Sequence, residues 1–503
     1  MNAPFETFGA TPHAAQDVAH VDVLIVGAGI SGIDAAHHLK EGHPGRSFLM
    51  LERQTSFGGT WRTHRYPGIR SDSDLHTFGF KWKPWTGPTL ATAEEILAYL
   101  DEAIEEEGLA PRIRYGHEVL RADWDGEAAL WTLDVLRLED DARLTFTCNF
   151  LWMCQGYYRH QKGYTPQWEG MAEFRGDIVH PQTWPEDLET EGKRIVVIGS
   201  GATAATLVPA VAGKCAHVTM LQRSPTWFYP RPTRDEFAEV LKGLDLPQAQ
   251  YHDIMRRKIL KDGATTIRRS FEEPDALAQA LLAGVRAHLG EDFDLERHFK
   301  PDYRPWRQRL AVVPDGDMFK AMRRGEASVV TDGIARFEEG GVRLTSGDLL
   351  EADIVVTATG FDLCAMGDIA MSVDGRMLDL SKTWTHRGIL FSDVPNLAWT
   401  FGYLRTSWTM RANLVSEFVC RLLARMDADG ARTVTPRLRD EDRQMPPQPF
   451  ITEENFNAGY IMRGIGIMPM QGNKLPWLMT QDYQIDKDEI PEADLDDGTL
   501  VYA

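Results

Sequence analysis

The loop Gly27-Ala-Gly29-Ile-Ser31-Gly32 follows an apolar, β-branched run at residues 21–26 and opens a stretch of helical character at 33–39. A second apolar run, 48–51, ends in Glu52. In such a strand–turn–helix setting the first glycine allows the tight turn, the second lets backbone approach a pyrophosphate, and the third closes the helix onto the strand. The helix N-terminus adds about half a positive charge. Ser31 supplies a hydroxyl to the same phosphate, and Glu52 is placed to accept hydrogen bonds from an adenosine ribose. The chemistry these residues prepare is the binding of a dinucleotide.

A second copy begins at the apolar run 195–198, continues through Gly199-Ser200-Gly201-Ala202-Thr203-Ala204, and reaches another strand at 218–221. Ala204 takes the third glycine's place. Where an NAD site would present a carboxylate, this strand leads to Arg223 and Ser224. A guanidinium there pairs bidentately with a 2′-phosphate and a hydroxyl adds a donor, so the pattern favours NADPH over NADH. Two βαβ units predict an α/β protein with two dinucleotide-binding (Rossmann-like) domains. A flavin site first and a pyridine nucleotide second is the order found in two-dinucleotide flavoproteins. Disulfide reductases share that order but need a dithiol beside the flavin. Cys148, Cys154, Cys215, Cys364 and Cys420 offer no suitably spaced pair.

The elements that must position these loops follow from the rest of the chain. With 503 residues the chain is too long for one core and predicts two or three domains. We expect residues 1–155 and 385–503 to form a discontinuous FAD-binding domain, closed by a helix at 413–423, with residues 1–20 as a loose tail. Residues 156–384 form the NADP-binding domain. Within it, residues 231–306 change to mixed charge at helical spacing, which predicts a helical insertion; strands return at 327–330 and 354–357. A net charge of −20 argues against nucleic acid and anionic membrane as partners. There is no basic, apolar leader and no run of 18 apolar residues, so no stable membrane insertion is expected. Scattered cysteines in an odd number suit a reducing compartment, and the expected localisation is cytoplasmic.

Two further motifs choose the chemistry. Phe174-x-Gly176-x-x-x-His180-x-x-x-Trp184-Pro185, in FRGDIVHPQTWP, stands just before the second glycine loop. Gly58-Gly59-Thr60-Trp61-Arg62-Thr63-His64-Arg65-Tyr66-Pro67-Gly68-Ile69-Arg70-Ser71-Asp72 follows Glu52. Both resemble fingerprints of the Baeyer–Villiger monooxygenases, a branch of the flavin-containing monooxygenases. SDSDLHTFGFKWKPW, YRPWRQRLAVVPDGDMFKA and PWLMTQDYQID are similar to segments of the ethionamide-activating subgroup of that family, and with the loops they extend the resemblance over most of the chain from about residue 20 onward.

The resemblance implies FAD as prosthetic group, NADPH as reductant and O2 as oxidant. It implies insertion of one oxygen atom beside a ketone carbonyl to give an ester or lactone, by way of a C4a-peroxyflavin, with sulfides and thioamides as further substrates. It assigns Arg309 as the active-site arginine, in preference to Arg307, and Asp72 as the carboxylate that orients it. Arg70 and Ser71 are expected near the nicotinamide side of the cofactors, and Gly59, Thr60, Trp61, Arg62 and Val119 among the cofactor contacts. Many relatives carry lysine directly before the arginine, whereas this chain has Gln308, which shifts the grip on the 2′-phosphate toward Arg223 and Ser224. His180 and Trp184 are read as gating the domains rather than as reacting groups. Tyr403, Trp408, Met468, Met470 and Trp477 are read as core packing. Two alternatives stand beside this reading: a flavin-containing N- or S-monooxygenase without ketone activity, and a non-enzymatic dinucleotide sensor, which would need neither Arg309 nor the flavin fingerprint.

Overall fold

The computed structural model describes residues 19–503; the expected N-terminal tail falls almost wholly outside the described residues. Two sheets organise the chain. The first has the strand Ala19–Val26 at its heart, parallel to Phe48–Leu51 on one side and to Ala142–Met153 on the other. Ala142–Met153 then turns into an antiparallel meander with Leu130–Arg137 and His117–Asp125. Its last residues also pair with Leu397–Trp399. The second sheet is wholly parallel, in the order Ala327–Thr331, His217–Gln222, Arg194–Ile198, Ile354–Thr357, Asp177–Val179.

Each glycine loop sits between its sheet's central strand and a helix, Ile30–Gly42 in the first unit and Ala202–Val211 in the second. Ile30–Gly42 packs against the long helix Trp408–Asp429, which extends well beyond the expected 413–423 because apolar positions recur at helical spacing from Met410 to Met426. Asp34 joins the two helices: its carboxylate accepts from Ser416 Oγ at 2.8 Å and from Trp82 Nε1 at 3.1 Å. Four helices, Glu236–Lys242, Gln248–Glu272, Pro274–Leu289 and Leu295–His298, lie between the paired strands Phe228–Arg231 and Ala311–Pro314.

The chain returns to the first sheet earlier than residue 385. Ala370–Val373 already pairs in parallel with His117–Asp125. The four residues Ala-Met-Ser-Val are too few to carry a period, and only a partner some 250 positions away makes them a strand of that sheet. Cys148, Cys154, Cys215 and Cys364 are buried, and no helix is long and apolar enough to cross a membrane among the described residues.

Candidate active site

The first loop is shaped by close backbone approach. Gly27 has φ +105°, and a Cβ there would stand 2.7 Å from the Cys154 carbonyl oxygen of the neighbouring strand end. A Cβ on Gly32 would stand 2.0 Å from the Gly27 carbonyl oxygen, so the helix cannot start where it does with any other residue. A Cβ on Gly29 would stand 3.5 Å from the Gly59 Cα, so the second motif lies close over the loop. The Ser31 hydroxyl accepts from Trp408 Nε1 at 2.7 Å and keeps its own proton to donate. Glu52 is buried at the strand end; its two oxygens accept from the backbone N–H groups of Ala28 and Gln54, each at 2.8 Å. Burial pushes its carboxyl above the ordinary range despite those bonds.

The second loop repeats the design. Gly199 has φ +124° and would place a Cβ 2.3 Å from the Ala358 carbonyl oxygen, whereas nothing lies within 4 Å of one on Gly201. Ala204 is fully buried in the second unit's core, so the third position tolerates a methyl group here. Arg223 and Ser224 are exposed at the end of the next strand, and Arg223 joins no ion pair among the described residues.

One cavity of about 930 Å³ connects the two loops. Gly27, Gly29, Ser31, Glu52, Gly59, Thr60, Trp61, Arg70, Ser71, Asp72 and Val119 line it from the first unit. Gly199, Ser200, Gly201, Ala202, Thr203, Arg223, Ser224, Gln308 and Arg309 line it from the second. Three expected contacts do not reach it: Gly32 and Ala204 serve helix packing, and Arg62 turns its guanidinium over the Phe57 ring at 5.6 Å. Their loop positions match the pattern, but the pattern does not separate residues that face the ligand from those that close the turn behind it.

Arg309 and Asp72 meet on the cavity wall. Nε donates to Oδ2 at 2.6 Å and Nη2 to Oδ1 at 2.5 Å, a bidentate pair between positions 237 apart. Burial works against the guanidinium's charge, but Asp72 outweighs it and raises the pKa further above its ordinary value. Arg307 lies outside the cavity lining, its carbonyl accepting from Asn457 N–H at 2.9 Å. Asp72 is one of three alternate residues tying this segment to the second unit. Arg70 Nη1 donates to Asp317 at 2.7 Å, and Asp74 accepts from Arg231 at 2.5 Å. Gly68 fits beneath them because a Cβ would stand 2.5 Å from Ala210 Cβ. Ser71 is turned onto its own loop, bonding the Ser73 backbone.

The other fingerprint does not line this cavity but stands directly behind its wall at Gly360 and His64. Asp177–Val179 is the edge strand of the second sheet, and a Cβ on Gly176 would stand 2.2 Å from the Asp353 carbonyl oxygen. His180 Nδ1 accepts from Gln182 N–H at 3.1 Å, which leaves Nε2–H to donate to the Gly360 carbonyl at 3.1 Å. Burial lowers the pKa of its imidazole, opposed by the Gly360 carbonyl. A neutral histidine thus joins the fingerprint to the segment where the chain leaves the second sheet. Tyr403 and Trp408, by contrast, line the cavity, while Met468 and Trp477 are buried in the core. Tyr157, Tyr158 and Tyr460 also line it and carry no motif by which sequence would single them out.

The chain is 44% identical over 487 residues to the FAD-containing monooxygenase EthA of Mycobacterium tuberculosis, a match covering 96% of this chain and 98% of that protein. It belongs to the FAD-containing monooxygenases. Residues 25–89 match the NAD(P)-binding Rossmann-like domain. AlmA of Acinetobacter baylyi, described as a probable FAD-binding monooxygenase, is 42% identical, with 96% of each chain covered. The fold is that of the Baeyer–Villiger monooxygenases. An open structure of cyclohexanone monooxygenase superposes with a TM-score of 0.71 at 22% identity, covering 85% of this chain and 91% of that one. Oxidized steroid monooxygenase bound to NADP superposes with 0.69 at 24%, covering 84% and 89%. The residues of this monooxygenase fit a flavin dinucleotide. Both side-chain amide atoms of Gln155, on the cavity wall, are buried without a partner among the described residues, and Gly29 leaves the backbone of the first turn bare where it lines the cavity.

Proposed function

We propose that this FAD- and NADPH-dependent monooxygenase inserts one oxygen atom of O2 beside a ketone carbonyl to give an ester or lactone, and that it also oxidises sulfides and thioamides. The observation that carries the reading is the bidentate Arg309–Asp72 pair on the wall of a cavity shared by both nucleotide loops. FAD, when bound, supplies hydride acceptance from NADPH and activation of O2. Gly27, Gly29, Ser31, Glu52, Gly59, Thr60, Trp61 and Val119 would hold it. Gly199 to Thr203 with Arg223 and Ser224 would hold the pyridine nucleotide.

Arg309 is a permanent cation fixed in one orientation by Asp72. Oriented before any reaction, it offsets negative charge that develops on oxygen, a stabilisation of about 3–4 kcal/mol for donors of this kind. The aromatic side chains of Tyr157, Tyr158, Phe361 and Trp408 give the same cavity an apolar wall.

A linear ketone and a thioether, supplied in parallel with NADPH and scored by product, test the proposal. Ester and sulfoxide should both form; sulfoxide without ester from a panel of linear, cyclic and aryl ketones refutes the ketone reading. For the pyridine nucleotide, Arg223→Ala should raise the KM for NADPH by roughly 10- to 100-fold, as expected for a lost charge-assisted hydrogen bond, and leave that for NADH unchanged. An unaltered NADPH/NADH ratio would assign the 2′-phosphate to other residues.

A further inference from the structure

Three tyrosines converge beside Arg309. Tyr157 and Tyr158 follow the strand Ala142–Met153, with hydroxyl oxygens 2.6 Å apart. Tyr460, on the short helix Gly459–Gly464, places its ring 6.0 Å from that of Tyr158. All three line the cavity with Arg309. Their rings are fixed by stacking. Tyr157 lies 5.2 Å from Trp408 at an interplanar angle of 6°, and that indole is bound to Ser31 of the first loop. Tyr158 lies 4.2 Å from Phe361, which stacks on His64 at 5.4 Å.

Arg309 commits three of its five N–H groups within the protein. Nε and one N–H of Nη2 are committed to Asp72, and Nη1 points toward the Leu404 carbonyl at 3.5 Å. A carbonyl oxygen that takes one of the two remaining N–H groups can accept a further donor from another direction, because an sp2 oxygen accepts along two lone pairs. The phenols offer such donors. Burial raises the pKa of both Tyr158 and Tyr460, while Arg309 opposes the rise, so each keeps its proton at neutral pH. With the Tyr157 hydroxyl donating to the Tyr158 oxygen, the Tyr158 proton is directed toward Tyr460, a contact that a ligand's carbonyl oxygen can take over.

We propose that the hydroxyls of Tyr158 and Tyr460 donate hydrogen bonds to the substrate's carbonyl oxygen, completing with Arg309 a donor set that serves ketones and is idle with sulfides. Tyr157 is a positioning residue for Tyr158. The inference rests on the ketone reading above.

The test uses Y158F, Y460F and Y158F/Y460F as FAD-loaded enzymes, because phenylalanine keeps the rings and removes only the hydroxyls. The probes are 2-octanone, thioanisole and octanamide, the last a carbonyl compound whose binding is read from the flavin absorbance without turnover. The double variant should keep its FAD content and Tm and bind octanamide at least about tenfold more weakly, the loss of two neutral hydrogen bonds. Ester formation from 2-octanone should fall by as much or more, with kcat affected beyond KM, and thioanisole oxidation should stay within about twofold of wild type. Equal loss for both substrates, or octanamide binding unchanged or absent in the wild type, overturns the proposal. A wild type that forms sulfoxide but no ester sinks the ketone reading alone, and octanamide binding still decides the role of the tyrosines. If the double variant loses FAD, the single variants at full FAD content decide by the same criteria.

Discussion

Arg309→Ala yields a folded, yellow, FAD-loaded protein that makes ester about 10²- to 10³-fold more slowly than wild type, the loss typical of removing one preorganised donor. Folding should survive because the pair is not sealed in the core. The Arg309 side chain is 35% exposed and that of Asp72 21%, so the carboxylate left behind is hydrated by the cavity. Flavin binding should survive because Arg309 comes from the segment before Ala311–Pro314, while the bare-backbone contacts for the flavin are in the first unit. Arg309→Lys keeps the charge but loses the planar fork that Asp72 grips, so activity should fall between wild type and alanine. Flavin absorbance, Tm and ester quantified by chromatography make the three readouts. Full ketone turnover by the alanine variant would falsify the assignment of Arg309.

Gly32→Ala and Gly201→Ala should fail in opposite ways. The methyl group of the first would stand 2.0 Å from the Gly27 carbonyl oxygen, a backbone atom that cannot yield without moving the whole turn. Overpacking costs typically about 1–3 kcal/mol, and against backbone the upper end or more is expected. Gly32→Ala should therefore lose FAD on purification and show a Tm several degrees lower. Gly201 has no neighbour within 4 Å of an added Cβ and an ordinary, negative φ. Gly201→Ala should fold, keep FAD and match the wild-type Tm, yet bind NADPH much more weakly because the methyl group occupies the space where a pyrophosphate approaches. FAD content, differential scanning calorimetry and NADPH titration separate the two. A Gly32→Ala enzyme with normal flavin content, or a Gly201→Ala enzyme with normal NADPH affinity, contradicts the division of labour.

The pair of variants also shows how far the glycine pattern reaches. It marks both loops, and both lie at strand ends where the β-branched runs place them. It does not say which glycine makes room for a ligand and which for its own chain; that depends on Cys154 and Ala358, neighbours supplied by other strands. Arg223 was placed by the same local logic and lies at its strand's end, free of ion pairs among the described residues. Ser31 was legible as a hydroxyl near the phosphate site, but its bond to Trp408, 377 positions away, was not. The strand Ala370–Val373, where the chain rejoins the first sheet, is illegible for the same reason, since a short strand is defined by its partner.

Local order along the chain determined the α/β class, the two nucleotide loops and the helical insertion, because hydrophobic period and turn residues act over a few positions, and the spacing of the two fingerprints determined the family. The tertiary structure decided what faces the cavity. It brought Asp72 to Arg309 across 237 positions, turned FRGDIVHPQTWP into an edge strand and a neutral histidine link outside the cavity, and gathered Tyr157, Tyr158 and Tyr460 at one wall. Such meetings are fixed where loops of the two units come together, contacts between residues far apart in sequence for which no spacing rule exists.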